Sequence, residues 1–287
     1  MPFAVFADGT GNLPQSLLEG IRLLPNDYTM DGVAETYYGD VDHFDGHAFY
    51  EKLRSGSVAR TSLLNTQLFL THLAPVLADG MDVIYVAMSS NISGTCQAAK
   101  IAAQELMERY QGRFVHVVDS LGCGFGTGLL AVRAARLSRA GMDAREAAAV
   151  LDAEVPHMCQ YFTVDDLNFL KSTGRVSGMT AKIGTMLNVK PILFGNSEGH
   201  IVSCAKVRGR KSAIETLVKK YQEKRLELQD LGICISHGDC LADAQELAER
   251  VRAVTPGVPI TICQHEPFSG AHVGPGMLAL FFRGRER

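Results

Sequence analysis

The chain has 287 residues, of which 46% are hydrophobic and 21% charged, and its net charge at neutral pH is −3. This composition allows a sizeable core and excludes a disordered chain. The charge balance gives no general attraction to nucleic acid, and no apolar run reaches the roughly 18 residues that a membrane span needs.

The cysteines indicate a reducing environment. Seven of them are scattered along the chain, and no two form a C-x-x-C pair. Such an odd, dispersed set predicts neither a disulfide framework nor a zinc site. The chain also begins in an apolar strand pattern rather than in a signal sequence. We therefore expect a cytoplasmic protein with no metal site, no nucleic acid partner and no stable membrane insertion.

Apolar strands, polar loops and helices alternate over residues 1–158. The pattern predicts strands at 3–7, 83–88 and 114–118, and helices at 16–23, 64–78, 95–110 and up to about 139. This alternation is typical of a parallel sheet flanked by helices, whose ligands bind at the carboxyl edge of the strands. Residues 28–58 break the rhythm and indicate a β-ribbon excursion with a small helix at 46–54.

The sequence pattern over residues 159–287 predicts a smaller C-terminal α/β domain. Thr163 is a suitable N-cap for a helix that ends before Gly174, and a second helix is predicted at 178–187. Further elements are two strands joined by a turn at 196–199, a helix at 211–227, a strand at 232–236, a helix at 241–253, and strands at 259–263 and 277–282. The fold class is therefore α/β, with two domains.

The loop "SSNISGTCQAA" at 89–99 joins a predicted strand to a predicted helix and is rich in hydroxyl groups. The unpaired N–H groups at a helix start bind anions, and without a lysine the loop suits a carboxylate. Ordinary N-capping by Ser93 or Thr95 is the alternative. The loop matches neither the G-x-S-x-G hydrolase motif nor a P-loop.

Three other segments carry possible chemistry. Cys123 could be a nucleophile at a helix N-terminus, although a structural thiol explains it better, and the glycines of "GCGFGTG" suit close helix–sheet packing better than dinucleotide binding. The segment "DVDHFDGH" at 40–47 could hold a metal but fits a solvated turn better. His272, predicted to lie in a loop, could donate a hydrogen bond to an anion and titrate near neutrality.

Basic residues cluster at the predicted start of the helix at 211–227, where positive charge is unfavourable: Lys206, Arg208, Arg210 and Lys211. They form either a tolerated surface cluster or a contact with an anion or an acidic partner. Arg175 follows a helix C-cap, where a cation is favourable. That position alone indicates a structural role for Arg175.

Several motifs in order resemble those of the DegV family, the fatty-acid-binding proteins that serve as the lipid-binding subunit of bacterial fatty acid kinase. They are "ADGTGNLP", "TSLLN", "SSNISGTCQAA", "VDSLGCGFGTGLL", "DDLNFLKSTGRVSG", "LNVKPILFGNSEGHIVSCAKVRGRKSA" and "GAHVGPGMLAL". The resemblance covers nearly the whole chain. It implies a two-domain DegV-like fold that buries a long-chain fatty acid in a tunnel, without a cofactor.

The resemblance also implies the site residues. The fatty acid carboxylate would be held by Thr61, Ser62, Ser93, Gly94 and His272. Arg175 and Arg208 would lie near the exit, in contact with the phosphoryl group or the partner. Two departures from the family pattern, Leu63-Leu64-Asn65 and Gly9, affect the expected contacts of their loops.

By the same resemblance, the chain alone is not catalytic. A separate ATP-binding kinase subunit would phosphorylate the bound carboxylate to an acyl phosphate, which agrees with the lack of a P-loop here. Two alternatives remain open. One is a stand-alone hydrolase or transferase with Ser93 or Cys123 as nucleophile, and the other is a regulator that binds a dinucleotide or another small molecule.

Overall fold

The computed structural model describes residues 3–176 and 188–287. Within these ranges the strands are β1 (Ala4–Asp8), β2 (Ile21–Leu24), β3 (Asn26–Met30), β4 (Val33–Tyr37), β5 (Ala59–Thr61), β6 (Val83–Ala87), β7 (Val115–Asp119), β8 (Met158–Thr163), β9 (Val189–Gly195), β10 (Ile201–Arg208), β11 (Ile233–His237), β12 (Ile260–Gln264) and β13 (Leu278–Arg283). The helices are α1 (Gly46–Arg54), α2 (Thr66–Ala78), α3 (Thr95–Arg109), α4 (Phe125–Arg139), α5 (Ala144–Glu154), α6 (Asn168–Ser172), α7 (Arg210–Lys224), α8 (Leu241–Val254) and α9 (Pro267–Val273).

A four-stranded parallel sheet in the order β2-β1-β6-β7 organises the first part of the chain. Every residue of β1 and β6 is buried, as expected for parallel strands with both faces covered. Helices α2 and α3 pack on one face, and α4 and α5 pack on the other. This confirms the predicted parallel sheet flanked by helices.

A six-stranded mixed sheet in the order β10-β9-β8-β13-β11-β12 organises the second part. Its outer face packs against α7 and α8, and its inner face shares a core with α4. Helix α4 therefore lies between the two sheets, and small residues allow this close packing. A Cβ at Gly128 would collide with the carbonyl oxygen of Gly11, which supports the packing interpretation of the glycine run.

The excursion at 28–58 contributes to a three-stranded antiparallel sheet, β4-β3-β5, with α1 packed beside it. Strand β5 ends at Thr61, so this small sheet delivers a predicted site residue. Helix α1 has the predicted bounds, and the Asp45 side chain caps it by accepting a hydrogen bond from the backbone N–H of Ala48.

Some local predictions were wrong. Residues 16–23 do not form a helix: a short 3₁₀ turn at Gln15–Leu17 is followed by Gly20, with φ of +81°, and then by β2. Thr163 is not an N-cap but the last residue of β8, where it pairs with Leu278. Tertiary strand pairing has overridden local propensity at both places. Helix α5 was not predicted from the sequence. The helix predicted at 178–187 lies outside the described residues.

The two large sheets divide the chain near the predicted position. Residues 4–119 supply the parallel sheet and residues 158–283 supply the mixed sheet. The domain boundary between 158 and 159 stays a prediction, because side chains from both parts share one core. Among residues 3–176 and 188–287, no helix combines the length and hydropathy needed to cross a bilayer.

Candidate ligand-binding site

Loops gather at the carboxyl edge of the parallel sheet. The backbone N–H of Ser89, after β6, donates to the carbonyl of Gly122, after β7, at 2.8 Å. The N–H of Ser120 donates back to the carbonyl of Ala87 at 3.0 Å. The hydroxyl-rich loop is thus fixed beside the loop that carries Cys123, as expected for a ligand-binding edge.

Thr95 joins this edge to the loop after β5. Its Oγ1 accepts hydrogen bonds from the N–H of Leu64, at 3.2 Å, and from the hydroxyl of Ser93, at 3.0 Å. The oxygen of Ser93 in turn accepts from the N–H of Thr95, the first residue of α3, at 3.2 Å, while the N-cap position itself is Gly94. Ser93 therefore pairs one N–H at the start of α3 and also lies at the ligand edge.

His272 lies on a helix rather than in the predicted loop. Helix α9 begins with Pro267 and is capped by the side chain of Glu266, which accepts from the N–H of Ser269 at 2.9 Å. It ends at Val273 and is followed by Gly274, whose φ of +73° suits glycine. The helix brings Nε2 of His272 to 2.8 Å from Oγ1 of Thr61.

Burial, aided by the charge of Arg175, lowers the pKa of the His272 imidazole to about 4, so the ring is neutral near pH 7. The prediction that it titrates near neutrality beside a bound anion stays a prediction. Its Nδ1 is buried and has no hydrogen-bond partner among the described residues, so the ring has unused capacity beside the site.

Five of the seven predicted site residues line one cavity, which we call the head pocket. Its volume is about 730 Å³, and its lining includes Thr61, Ser93, Gly94, Arg175 and His272. The other lining residues, which the sequence analysis did not predict, are Leu63, Met88, Ile92, Cys123, Leu170, Ile201, Phe268, Ser269 and Val273. The head pocket therefore combines hydroxyl, imidazole and guanidinium groups with apolar walls.

Ser62 and Arg208 are not among the described residues that line this pocket. Ser62 is exposed. Arg208 is also exposed and is the last residue of β10, whereas Ile201, which lines the pocket, is the first. Arg175 does line the pocket, and its guanidinium donates to the carbonyl of Thr173. In the part of the chain that the structure describes, no carboxylate forms an ion pair with Arg175 or Arg208. The roles assigned to all seven residues stay predictions.

A second cavity, the tail pocket, lies beside the head pocket. Its volume is about 510 Å³, and both pockets are lined by Ile92, Cys123, Ile201, Ser269 and Val273. The remaining lining is mostly apolar and comes largely from the inner face of the mixed sheet: Gln160, Phe162, Gly195, Gly199, His265, Met277, Ala279 and Phe281. The two pockets are thus neighbours, one with polar groups among apolar walls and one almost wholly apolar.

A buried polar network supports the junction of the two pockets. The hydroxyl of Ser269 contacts a carboxylate oxygen of Glu266 and lies 3.0 Å from Nε2 of His265. Nδ1 of His265 lies 3.0 Å from the hydroxyl of Ser236. Burial lowers the pKa of His265 to about 3, so this ring is neutral. No sequence pattern predicted this network; its one local signal is the Glu-Pro helix start at 266–267.

The environment of Cys123 argues against a nucleophile. Burial, reinforced by the nearby Glu266 carboxylate, raises the pKa of its thiol to about 12.

We therefore expect alkylation of Cys123 by iodoacetamide at pH 8 to be about 1000-fold slower in the folded protein than in urea. Peptide mass spectrometry over time measures both rates. Equal rates would mean that the Cys123 thiol is not buried, and would again favour Cys123 as a nucleophile.

One group of side chains has the geometry to hold a metal, within the ranges that the structure describes. Ligand atoms of His47, Glu51 and Asp239 all lie within 4.8 Å of one another. Arg54 pairs with both carboxylates and already supplies positive charge there. In the segment at 40–47, Asp40 pairs with His43 at 2.8 Å in an exposed turn. The expectation of no metal site stays a prediction.

Comparison with known proteins places these features in a family. The model of the DegV family, described as uncharacterised, matches residues 2–285. A DegV domain-containing protein of Clostridium perfringens is 33% identical over 288 residues, covering 98% of this chain and 97% of its own.

Solved structures show the same similarity. A DegV family protein from Thermus thermophilus, described by its fatty acid binding, has a TM-score of 0.85 at 26% identity and covers 99% of this chain and 100% of its own. DegV of Bacillus subtilis, described as a fatty acid binding protein, has a TM-score of 0.82 at 26% identity, with coverages of 99% and 100%.

Proposed function

Because this chain belongs to the DegV family, we propose that it binds a long-chain fatty acid, with the carboxylate in the head pocket and the acyl chain in the tail pocket. The observation that carries the proposal is the adjacency of the two pockets. A cavity with hydroxyl, imidazole and guanidinium groups shares five lining residues with a mostly apolar one. That is the polarity pattern of a fatty acid.

The head pocket supplies the donors that a buried carboxylate needs. Without several hydrogen bonds, a carboxylate in such a site takes up a proton. In our proposal, Nε2–H of neutral His272 donates to Oγ1 of Thr61, which leaves the Thr61 hydroxyl hydrogen for one carboxylate oxygen. The Ser93 hydroxyl turns from Oγ1 of Thr95 to the other oxygen, which the backbone at Gly94 also serves, and Arg175 provides positive charge.

The tail pocket supplies most of the affinity. Each buried methylene contributes about 0.8 kcal/mol, so even ten contribute about 8 kcal/mol before the costs of association. A head pocket whose donors are already fixed then sets the orientation of the ligand and adds a smaller part of the affinity.

We further propose that a separate ATP-dependent kinase subunit phosphorylates the presented carboxylate. Under this proposal the protein is cytoplasmic, non-catalytic by itself and free of cofactors, with domains at 1–158 and 159–287. The exposed Arg208 has no ion-pair partner among the described residues, which suits a contact with an acidic partner surface. Arg210 is less available, because its Nε donates to Asp243 at 2.9 Å.

Extraction of the purified protein tests the binding proposal directly. We expect mass spectrometry of the organic extract to identify a fatty acid in an amount comparable to that of the protein. A bound nucleotide would support the regulator instead, and an adduct on Ser93 or Cys123 would support the hydrolase or transferase. An empty protein that also fails to bind added fatty acid would refute the proposal.

The kinase proposal predicts a split between binding and turnover. We expect Arg208→Ala to lower the rate of phosphorylation by a purified kinase subunit about tenfold at low ionic strength, because partner association loses a steering charge. Fatty acid affinity should be unchanged. Arg252→Ala, at an exposed position on α8, is the matched control. Unchanged turnover in the Arg208 variant would refute this role.

A further inference from the structure

One wall of the tail pocket is polar. Gln160, on the inner face of β8, lines the tail pocket and is not among the described residues that line the head pocket. Its Oε1 accepts from the backbone N–H of Cys123 at 3.1 Å, and its Nε2 donates to the carbonyl of Leu121 at 3.3 Å. Both hydrogen bonds reach the loop between β7 and α4, so the side chain is held in place.

A second polar side chain lies against Gln160. The Arg287 guanidinium donates to the carbonyl of Ser120 at 2.9 Å and also to the carbonyl of Leu121. Gly195, on β9, contacts both side chains: a Cβ there would collide with the Gln160 amide and approach Nη2 of Arg287 to 2.8 Å. Arg287 is absent from the described lining of the tail pocket, so it supports Gln160 from outside. We call Gln160 and Arg287 the polar plug.

Gln160 lines the tail pocket alone, although it bonds to Cys123, which lines both pockets. Helix α9, which carries His272, immediately precedes β13 along the chain, and Met277, the residue before Leu278, lines the tail pocket. Phe281 lies four residues further along, roughly 13 Å in an extended strand. Gln160 is the residue paired with Phe281 on β8.

Resting on the proposed function, we propose that the polar plug sets the upper limit of acyl chain length, with the methyl end of the ligand stopping at Gln160. A longer chain must displace the amide of Gln160. It would leave the N–H of Cys123 and a lone pair of the Leu121 carbonyl without partners in apolar surroundings, which is unfavourable.

The proposal predicts a break in the dependence of affinity on chain length. Below the limit, each added methylene strengthens binding about fourfold, and beyond it affinity stops rising or falls. The dissociation constants of saturated fatty acids from about 12 to about 20 carbons, measured with wild-type protein, locate this break. Gln160→Ala removes the end of the side chain, so its break should move to acids about two methylenes longer.

Matched substitutions distinguish the effect of the length of the side chain at position 160 from the effect of losing its amide group. Gln160→Met fills nearly the same length without the amide, and we expect its break within about one methylene of the wild-type position. Gln160→Val shortens the side chain with a residue that favours strands, and should shift the break as alanine does. Circular dichroism and the affinity for the shortest acid report whether each variant is folded. If the alanine variant is unfolded, the valine variant decides.

The outcomes distinguish this inference from the proposed function. If wild-type protein binds none of the acids, the proposed function fails. If it binds them with a break, and folded Gln160→Ala and Gln160→Val keep the wild-type break, the plug is not the limit and the inference is overturned. A shifted break in both short variants, with the wild-type break retained in Gln160→Met, supports it.

Discussion

Replacing Thr61 by valine and Ser93 by alanine together lowers the affinity for a long-chain fatty acid by about 100-fold, and each single change lowers it by about tenfold. Both hydroxyls line the head pocket, and hydrogen bonds to a charged group are stronger than those between neutral groups. Without them, the carboxylate is desolvated in the same cavity but left short of donors, while the tail pocket is unaltered.

Titration calorimetry with a fatty acid measures this loss for the single and double variants. Thr71→Ala is the matched control, because it removes a hydroxyl from an exposed position on α2 outside the predicted site and should leave the affinity within about twofold of wild type. Thr61 also contacts His272, so the melting temperature of each variant must accompany its affinity. A stable double variant with wild-type affinity would place the carboxylate elsewhere.

The sequence predicts the regular parts of this fold because strand, loop and helix each leave a local pattern. Val83–Ala87 is apolar throughout, and Thr95–Arg109 follows a hydroxyl-rich start, so their bounds were predicted nearly to the residue. The carboxyl edge follows from the parallel order of the strands, which explains why Ser93 could be assigned to a ligand edge before any contact was known.

Other features depend on contacts between distant segments and leave no local pattern. The strand Ile21–Leu24 forms because it pairs with β1, although its surroundings suggest a helix. His272 meets Thr61 across 211 residues, and only the family resemblance joined them beforehand. The polar plug and the network around Ser269 are groups of polar side chains brought together by tertiary structure, so the periodicity of apolar residues in the sequence could not reveal them.

Glu266 shows how such a buried group affects stability. It is fully buried, and it caps α9 through the N–H groups of Phe268 and Ser269. Burial raises the pKa of its carboxyl from 4.5 to about 7; hydrogen bonds from Ser269 and Phe268 oppose this shift, and the charge of Asp8 adds to it. The folded protein therefore holds a proton that the unfolded chain releases between these two pH values.

The sign of the pH effect follows from this linkage. The contribution of the raised pKa to stability is fully present below about pH 4.5 and is lost as pH rises through about 7. Glu266→Gln resembles the protonated side chain and lacks this titration. Between about pH 4.5 and pH 8, we expect the free energy of unfolding of wild type to fall by about 3 kcal/mol relative to the variant.

Urea unfolding of both proteins across this range measures the difference directly, because titrations common to the two proteins cancel. Glu249→Gln, at an exposed position on α8, controls for the loss of one acidic residue and should follow wild type. Parallel profiles for wild type and Glu266→Gln would mean that the carboxyl has similar pKa values in the folded and unfolded chain. The polar network under the pocket junction would then be better solvated than its burial implies.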